Sequence, residues 1–182
     1  IAAGTAQDLA GNVAPAPEVS LPFDVISGGG EDEGVVHAIN CGGGAYTASD
    51  GTAYIADAFF LDGSFFDSLV SDFAGTSDPT LYRTHHHSMT GYALPVDNGD
   101  YTVTLKFAEN WNGCFSVGCR VFDVSIEGVT VINALDVFAE VGSLTAHDLT
   151  FSTTVLDSSL DIGFTAITQN TSIKAILVTT QG

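Results

Sequence analysis

The feature that most constrains the fold is a strict alternation of apolar and polar residues near the middle of the chain. In the segment YTVTLKFAE, 101–109, an apolar residue occupies every second position, so these side chains share one face of an extended strand. They are Tyr101, Val103, Leu105 and Phe107. Shortly afterwards RVFDVSIEG and VTVINALD lie on either side of Glu127-Gly128, a pair typical of a tight hairpin turn. The pattern predicts antiparallel strands with one buried face.

The same two-residue period recurs in short segments from Val35 to the C-terminal end. Turns rich in Gly, Asn and Asp separate these segments, and helical periodicity is confined to one predicted turn in DSLVSDF, 67–73. The chain is therefore predicted to be all-β, a β-sandwich of the jelly-roll type. The further predicted strands are VVHAIN, LYRT, GYALPV, LTFSTTV, SLDIGFTAI and SIKAILVTT.

Charge excludes some partners. The sequence has 22 acidic residues against four basic ones and a net charge of −18. Nucleic acid is excluded because phosphate neutralisation requires a basic surface, and an anionic membrane surface is disfavoured for the same reason. So many carboxylates suit a saline or calcium-rich setting, where cations screen or bridge their repulsion.

Residues 1–34 differ from the rest of the chain. They contain three of the five prolines, a glycine run and the acidic cluster EDE, a composition typical of a linker. Within them, GTAQDLAGNVAP resembles the closing strand of a bacterial immunoglobulin-like repeat. We therefore predict a linker and the end of a preceding Ig-like module at 1–34, followed by one domain at 35–182. Neither a signal-peptide pattern nor an apolar run of membrane-spanning length is visible, so we expect a processed piece of a longer protein.

Two cysteines enclose a short loop in NGCFSVGCR. Cys114 and Cys119 are separated by four residues, a spacing that suits a disulfide across a hairpin tip. A disulfide indicates an oxidising compartment, so we expect an extracellular or cell-surface location. Cys41 is left over beside a glycine run and is expected to be a small buried apolar residue.

The ordered set of motifs resembles the malectin family. The segments that carry the resemblance are INCGGGAYTASDGTAYIAD, LYRTHHH, GYALPVDNGDYTVTLKFAENW, RVFDVSIEG, VINALDVFAEVGSLTAHD and IKAILV. The resemblance implies a galactose-binding-like jelly roll that is not catalytic and that holds a saccharide on loops at one end.

The resemblance also implies which residues contact the sugar. In malectins the site is made of aromatic residues on loops with a few polar neighbours. Trp111, the only tryptophan, stands on such a loop, and its flat apolar face suits the C–H face of a pyranose. The predicted sugar-binding residues are Trp111, Asn110, Asn112, His87, Gln169, Asn170, and Tyr46 or Tyr54.

The sequence supports a metal site or a catalytic site less well than a sugar-binding site. In His85-His86-His87 only alternate residues share a side of a strand, so three ligands do not converge there. We predict that no cofactor is required, with Asp50 and Asp57 as candidate ligands of a structural calcium ion. A glycosidase pair such as Glu109 and Asp123 lacks any supporting pattern.

Two functional hypotheses remain open. The first is a non-catalytic carbohydrate-binding module of a larger secreted or cell-surface protein. The alternative is a structural, adhesive or self-assembling module of an extracellular surface protein or fibre, with neighbouring modules of the same chain as partners.

Overall fold

The computed structural model describes residues 34–181. The predicted linker and Ig-like remnant therefore lie almost entirely outside the described residues. Within 34–181 the structure is mostly β-strand, and the prediction of an all-β sandwich is confirmed. Neither α-helix of this part of the chain has the length and apolar character needed to cross a membrane.

Two main sheets and one small sheet make up the fold. The six-stranded sheet contains, in spatial order, β10 (His147–Val155), β7 (Gly99–Phe107), β13 (Ala175–Thr180), β1 (Val35–Asn40), β3 (Ala53–Ala56) and β2 (Tyr46–Thr47). The four-stranded sheet contains β6 (Gly91–Pro95), β11 (Ser159–Thr168), β8 (Val121–Ile126) and β9 (Val129–Leu135). The small sheet contains β12 (Ser172–Ile173), β5 (Thr84–His87) and β4 (Ser64–Asp67).

The core forms where the inward faces of the strands meet. The alternate apolar residues of β7 are all buried, as their period predicts, and so are those of β8. Phe107 of β7 and Phe122 of β8 pack with ring centroids 6.0 Å apart. The predicted hairpin at Glu127-Gly128 joins β8 to β9, with positive φ angles of 49° and 72° at the turn.

The helices do not occur where the sequence predicts them. The prediction of a turn at 67–73 is wrong, because Asp67 ends strand β4 and its carboxylate accepts the backbone N–H of Leu69. LYRT is likewise not a strand: α1 spans Thr80–Arg83, and β5 begins directly after it. A second helix, α2, spans Val137–Val141 and is capped by the Asp136 carboxylate, which accepts the N–H of Ala139.

Three features bring the loops at one end together. β5 pairs with β4 on one side and β12 on the other. The loop after β7 contains a 3₁₀ helix, Asn112–Cys114, and a disulfide between Cys114 and Cys119. The predicted strand SIKAILVTT is interrupted at Lys174, between β12 and β13, and this buried lysine lies below the same loops.

Candidate functional site

An open groove of about 200 Å³ lies at this end of the sandwich. Its walls come from β4, β5, the loop after β7 and the loop before β12, segments far apart in the sequence. The lining residues are Phe66, His85, His87, Trp111, Arg120, Gln169 and Asn170. Four of them, His87, Trp111, Gln169 and Asn170, are residues that the family resemblance predicts.

Strand pairing decides which histidines reach the groove. In β5, His85 pairs across the small sheet with Phe66, and their rings are 5.0 Å apart. His85 and His87 lie on one face of the strand with ring centroids 5.4 Å apart. His86 points to the opposite side, into the interior. The expectation that His85 and His87 share a face is confirmed.

Trp111 is held in place on its loop and is 36% exposed. Its backbone N–H donates to Oε1 of Glu109 at 3.0 Å, and its carbonyl accepts the N–H of Cys114 at 2.9 Å. Gly113 allows the indole to lie close to the backbone, because a Cβ there would be 2.5 Å from Cζ2 of the ring. The Arg120 guanidinium carbon is 5.9 Å from the ring centre. The indole is therefore oriented before any ligand arrives.

Arg120 connects the floor of the groove to its wall. Its Nε donates to Oε2 of the buried Glu109 at 2.7 Å. Its Nη1 donates to the backbone carbonyl of Asn170 at 3.1 Å and also to the side-chain oxygen of Asn170. Within residues 34–181, Nη2 has no hydrogen-bond partner. Nη2 of this fixed guanidinium is therefore free to donate to a ligand in the groove.

His85 is buried on top of Lys174. The Lys174 Nζ lies 3.0 Å from Nδ1 of His85, and Lys174 is fully inaccessible to solvent. Burial and the charge of Lys174 hold the pKa of His85 far below its usual range, so the imidazole is neutral at pH 7. With Nδ1 accepting from the lysine, the neutral ring carries its proton on Nε2.

His87 and Gln169 form the opposite wall. Burial, followed by the charge of Arg120, lowers the pKa of His87, and Asn170 Nδ2 lies 3.2 Å from its Nδ1. Gln169 is exposed, and its side chain makes no hydrogen bond within residues 34–181. Its φ of 59° lies in the left-handed region, an uncommon backbone conformation of the kind found at binding sites.

Two predicted residues of the Trp111 loop lie outside the groove. Asn110 is buried, and its Nδ2 donates to the carbonyls of Tyr82 and Arg83, so its side chain fastens the loop to α1. Asn112 is exposed in the 3₁₀ helix and does not line the groove. Asn110, Trp111 and Asn112 are consecutive in the loop and their side chains point in different directions, so only Trp111 lines the groove.

Tyr46 and Tyr54 are also separate from the groove. They pair with each other across the β2–β3 hairpin, and the hydroxyl of Tyr46 donates to Asp78 at 3.0 Å. Tyr54 lines a second cavity of about 220 Å³, which we call the Tyr54 cavity. Its ionisable and phenolic lining residues are Asp50, Tyr54, Asp78, Tyr82, Lys106 and Asp148.

Sequence reasoning missed three residues of the groove, namely Phe66, His85 and Arg120. Arg120 could have been identified from the sequence, because it is one of only four basic residues and follows the cysteine loop directly. His85 could have been identified from its position two residues before His87, which puts both on the same face of a strand. No sequence feature identifies Phe66, since it reaches the groove only through the pairing of β4 with β5.

The candidate calcium ligands have protein partners. Asp57 accepts hydrogen bonds from the N–H of Gly42 at 2.6 Å and the hydroxyl of Tyr92 at 3.1 Å, and it lies 3.0 Å from Nδ1 of His86. Asp50 accepts the N–H of Thr52 at 2.8 Å. In the part of the chain that is described, no group of three or more His, Cys, Asp or Glu side chains is arranged to hold a metal ion. A calcium ion at Asp50 or Asp57 stays a prediction.

Comparisons with known proteins agree with this architecture. Residues 35–181 match the family model described as Malectin domain. The chain is 34% identical to human malectin over 133 residues, which make up 67% of this chain and 44% of that protein. It therefore spans less than half the length of that relative.

Solved structures share the fold at low sequence identity. A β-glucuronidase from Bacteroides uniformis superposes with a TM-score of 0.73 at 19% identity, over 80% of this chain and 18% of the enzyme. The ANXUR1 extracellular domain from Arabidopsis thaliana superposes with a TM-score of 0.71 at 13% identity, over 81% of this chain and 49% of that domain. At such identities the likeness shows the fold alone.

Proposed function

The chain belongs to the malectin family, and on that premise we propose that residues 35–181 form a non-catalytic carbohydrate-binding module whose saccharide occupies the Trp111 groove. The observation that carries the proposal is the convergence of Trp111, His87 and Gln169, which come from three separate segments, on one open groove. Sequence proximity does not explain this arrangement.

The groove has the chemistry that a saccharide requires. A sugar ring has an apolar C–H face and a rim of hydroxyl groups. The indole of Trp111 supplies the flat apolar surface, and Gln169, His87 and Nη2 of Arg120 supply polar groups around it. Because Trp111 and Arg120 are already held by Glu109, binding requires little reordering of the site.

The same geometry argues for binding rather than hydrolysis. Glycoside hydrolysis generally uses two carboxyl groups on either side of the scissile bond. Among the described residues the groove lining has no carboxylate. The nearby Glu109 is 3% exposed and is engaged by Arg120 and by the N–H of Trp111, so it is unavailable as an acid or nucleophile.

We place the module in an extracellular or cell-surface protein that carries further modules. The disulfide between Cys114 and Cys119 supports an oxidising compartment. The linker-like composition of residues 1–34 supports attachment to a neighbouring module.

The proposal is tested by screening the protein on a glycan array and titrating the retained saccharides by calorimetry. Trp111→Ala is expected to weaken binding by at least about thirtyfold. Phe115→Ala is the matched control, because Phe115 is in the same loop and equally exposed at 36% but lies outside the groove. No binding to any glycan, or equal losses in the two variants, would contradict the proposal.

A self-assembling module is the second candidate function, and an apolar patch favours it. Phe60 and Phe65 pack edge to face at 5.4 Å and are both exposed, as is Leu61 next to Phe60 in the sequence. Sedimentation of the wild type and of Phe65→Ser over a range of concentrations tests this function. A wild type that remains monomeric at high concentration would exclude it.

A further inference from the structure

The groove differs from the rest of the molecule in the sign of its charge. The chain carries a net charge of −18, yet no carboxylate lines the groove within residues 34–181. Its charged lining residue is Arg120, accompanied by the neutral imidazoles of His85 and His87. A ligand in the groove therefore meets one cationic side chain and no anionic one among the lining residues.

A second basic side chain lies directly beneath the lining. Lys174 is completely buried, and its Nζ bonds only to Nδ1 of His85 within the described residues. Burial holds the pKa of Lys174 well below its usual range; the negative charge of Glu109 opposes this shift and the positive charge of Arg120 adds to it. Glu109 is already paired with Arg120 at 2.7 Å, so one carboxylate serves two basic groups.

This imbalance favours an anionic ligand over a neutral one. Burial disfavours the protonated form of Lys174, and an anion bound in a low-dielectric site favours that form far more effectively than it would in water. A sugar hydroxyl can accept a hydrogen bond from Arg120 but cannot stabilise a protonated Lys174. A carboxylate or a sulfate can do both.

Arg120 also has the geometry to receive such a group. Nε and Nη1 are held by Glu109 and Asn170, which leaves Nη2 without a partner in residues 34–181. The guanidinium lies 5.9 Å from the Trp111 ring centre. Trp111 and Arg120 both line the groove, so a saccharide bound there is within reach of both side chains.

We propose that the Trp111 groove selects saccharides that bear an acidic group, a uronate carboxylate or a sulfate ester, which bonds to Arg120 above the buried Lys174. This inference rests on the proposed carbohydrate-binding function and adds the charge of the ligand to it. Hydrogen bonds to charged groups correspond to about a tenfold to hundredfold gain in affinity.

The test compares ligands on the unaltered protein. Neutral oligosaccharides, their C6-oxidised uronate forms, the methyl esters of those uronates and 6-O-sulfated forms are titrated at about 0.15 M salt, where charges more than about 8 Å apart are largely screened. We expect acidic forms to bind at least about tenfold more tightly than neutral parents and methyl esters. Uronate and sulfate arms then show which anion fits the groove.

A variant pair tests the named residues through the ratio of acidic to neutral affinity. This ratio is measured within one preparation, so it does not depend on the fraction of folded protein. Lys174→Met and Arg120→Gln are both expected to lower the ratio severalfold. A ratio that neither substitution changes would overturn the assignment of these two residues.

The possible failures are distinct. If neutral saccharides bind in a Trp111-dependent manner as tightly as their acidic forms, the charge preference is wrong and the carbohydrate-binding function stands. If no saccharide of any charge binds, both are wrong. A preference for acidic saccharides that survives Trp111→Ala would place the anion site elsewhere and would overturn the inference.

Discussion

The Trp111 groove and the Tyr54 cavity both combine aromatic rings with charged groups, but they differ in how their polar groups are used. In the Tyr54 cavity the partners are internal: Asp148 accepts the hydroxyl of Tyr82 at 2.6 Å and the ammonium of Lys106 at 2.5 Å. In the groove, Nη2 of Arg120 and the Gln169 amide have no partner among the described residues. Aromatic residues on loops are therefore poor markers of a binding site unless free polar groups accompany them.

The largest expected difference between the two regions concerns stability. Glu109→Gln removes the carboxylate that faces buried Arg120 and Lys174, so we expect a loss of about 3–5 kcal/mol in the free energy of unfolding. Lys106→Gln breaks the Lys106–Asp148 pair of the Tyr54 cavity, where Asp148 is partly exposed, and should cost less than about 1 kcal/mol. Urea denaturation measures both. Equal losses would show that the groove charges are not isolated from solvent as described.

The second difference concerns ligand binding. Trp111→Ala is expected to weaken saccharide binding by at least about 2 kcal/mol, about thirtyfold, as expected for a central aromatic contact. Tyr54→Phe in the other cavity should leave the affinity unchanged, because Tyr54 does not line the groove. Calorimetric titration measures both variants. A loss on Tyr54→Phe would instead support a site that extends to the β2–β3 hairpin.

The third difference is a response to acid. The pKa of His85 is depressed in the folded protein, so below the unfolded value of about 6.5 the unfolded chain takes up a proton that the folded chain does not. The contribution of His85 to the free energy of unfolding is therefore fully present above that pH and is lost as the pH falls below it. Between pH 7 and pH 5 the loss is about 2 kcal/mol.

Removing the imidazole should remove this part of the response. His85→Gln is expected to show a pH dependence of unfolding that is smaller by about 2 kcal/mol over the same interval. The comparison is made as a difference between wild type and variant, so that the contribution of all other titratable groups to the pH dependence cancels. Identical pH profiles would mean that His85 is accessible to protons in the folded state.

The smallest expected effect tests whether the free amide of Gln169 contacts the ligand. Gln169→Ala should weaken saccharide binding by about 1 kcal/mol, about fivefold, without changing stability, because the side chain makes no hydrogen bond within residues 34–181. Asn112→Ala is the control, being exposed but outside the groove. The prediction fails if Asn112→Ala reduces the affinity as much as Gln169→Ala does.

Sequence alone predicted the parts of the fold that depend on local periodicity. The alternation of YTVTLKFAE and the turn at Glu127-Gly128 are properties of neighbouring residues, and both are present in the structure. The helical turn expected at 67–73 failed because side-chain hydrogen bonds, such as that from Leu69 N–H to Asp67, compete with a helix. The spacing of apolar residues in the sequence does not show such hydrogen bonds.

The groove was predictable only in part for a related reason. The family resemblance identified Trp111, His87, Gln169 and Asn170, since these stand in or beside recognisable sequence motifs. Asn110 stands in the same loop, but its amide binds the carbonyls of Tyr82 and Arg83 instead. Arg120 and Lys174 escaped notice because their importance comes from burial beside Glu109 and His85, a property of packing between distant segments.

The central claim is that the saccharide binds against Trp111, and tryptophan fluorescence tests it most directly. Trp111 is the only tryptophan of the chain and is 36% exposed, so its emission reports on the groove alone. A saccharide retained on the glycan array should shift or quench this emission saturably, with the same dissociation constant as calorimetry. Calorimetric binding of that saccharide with no change in the emission would contradict the account.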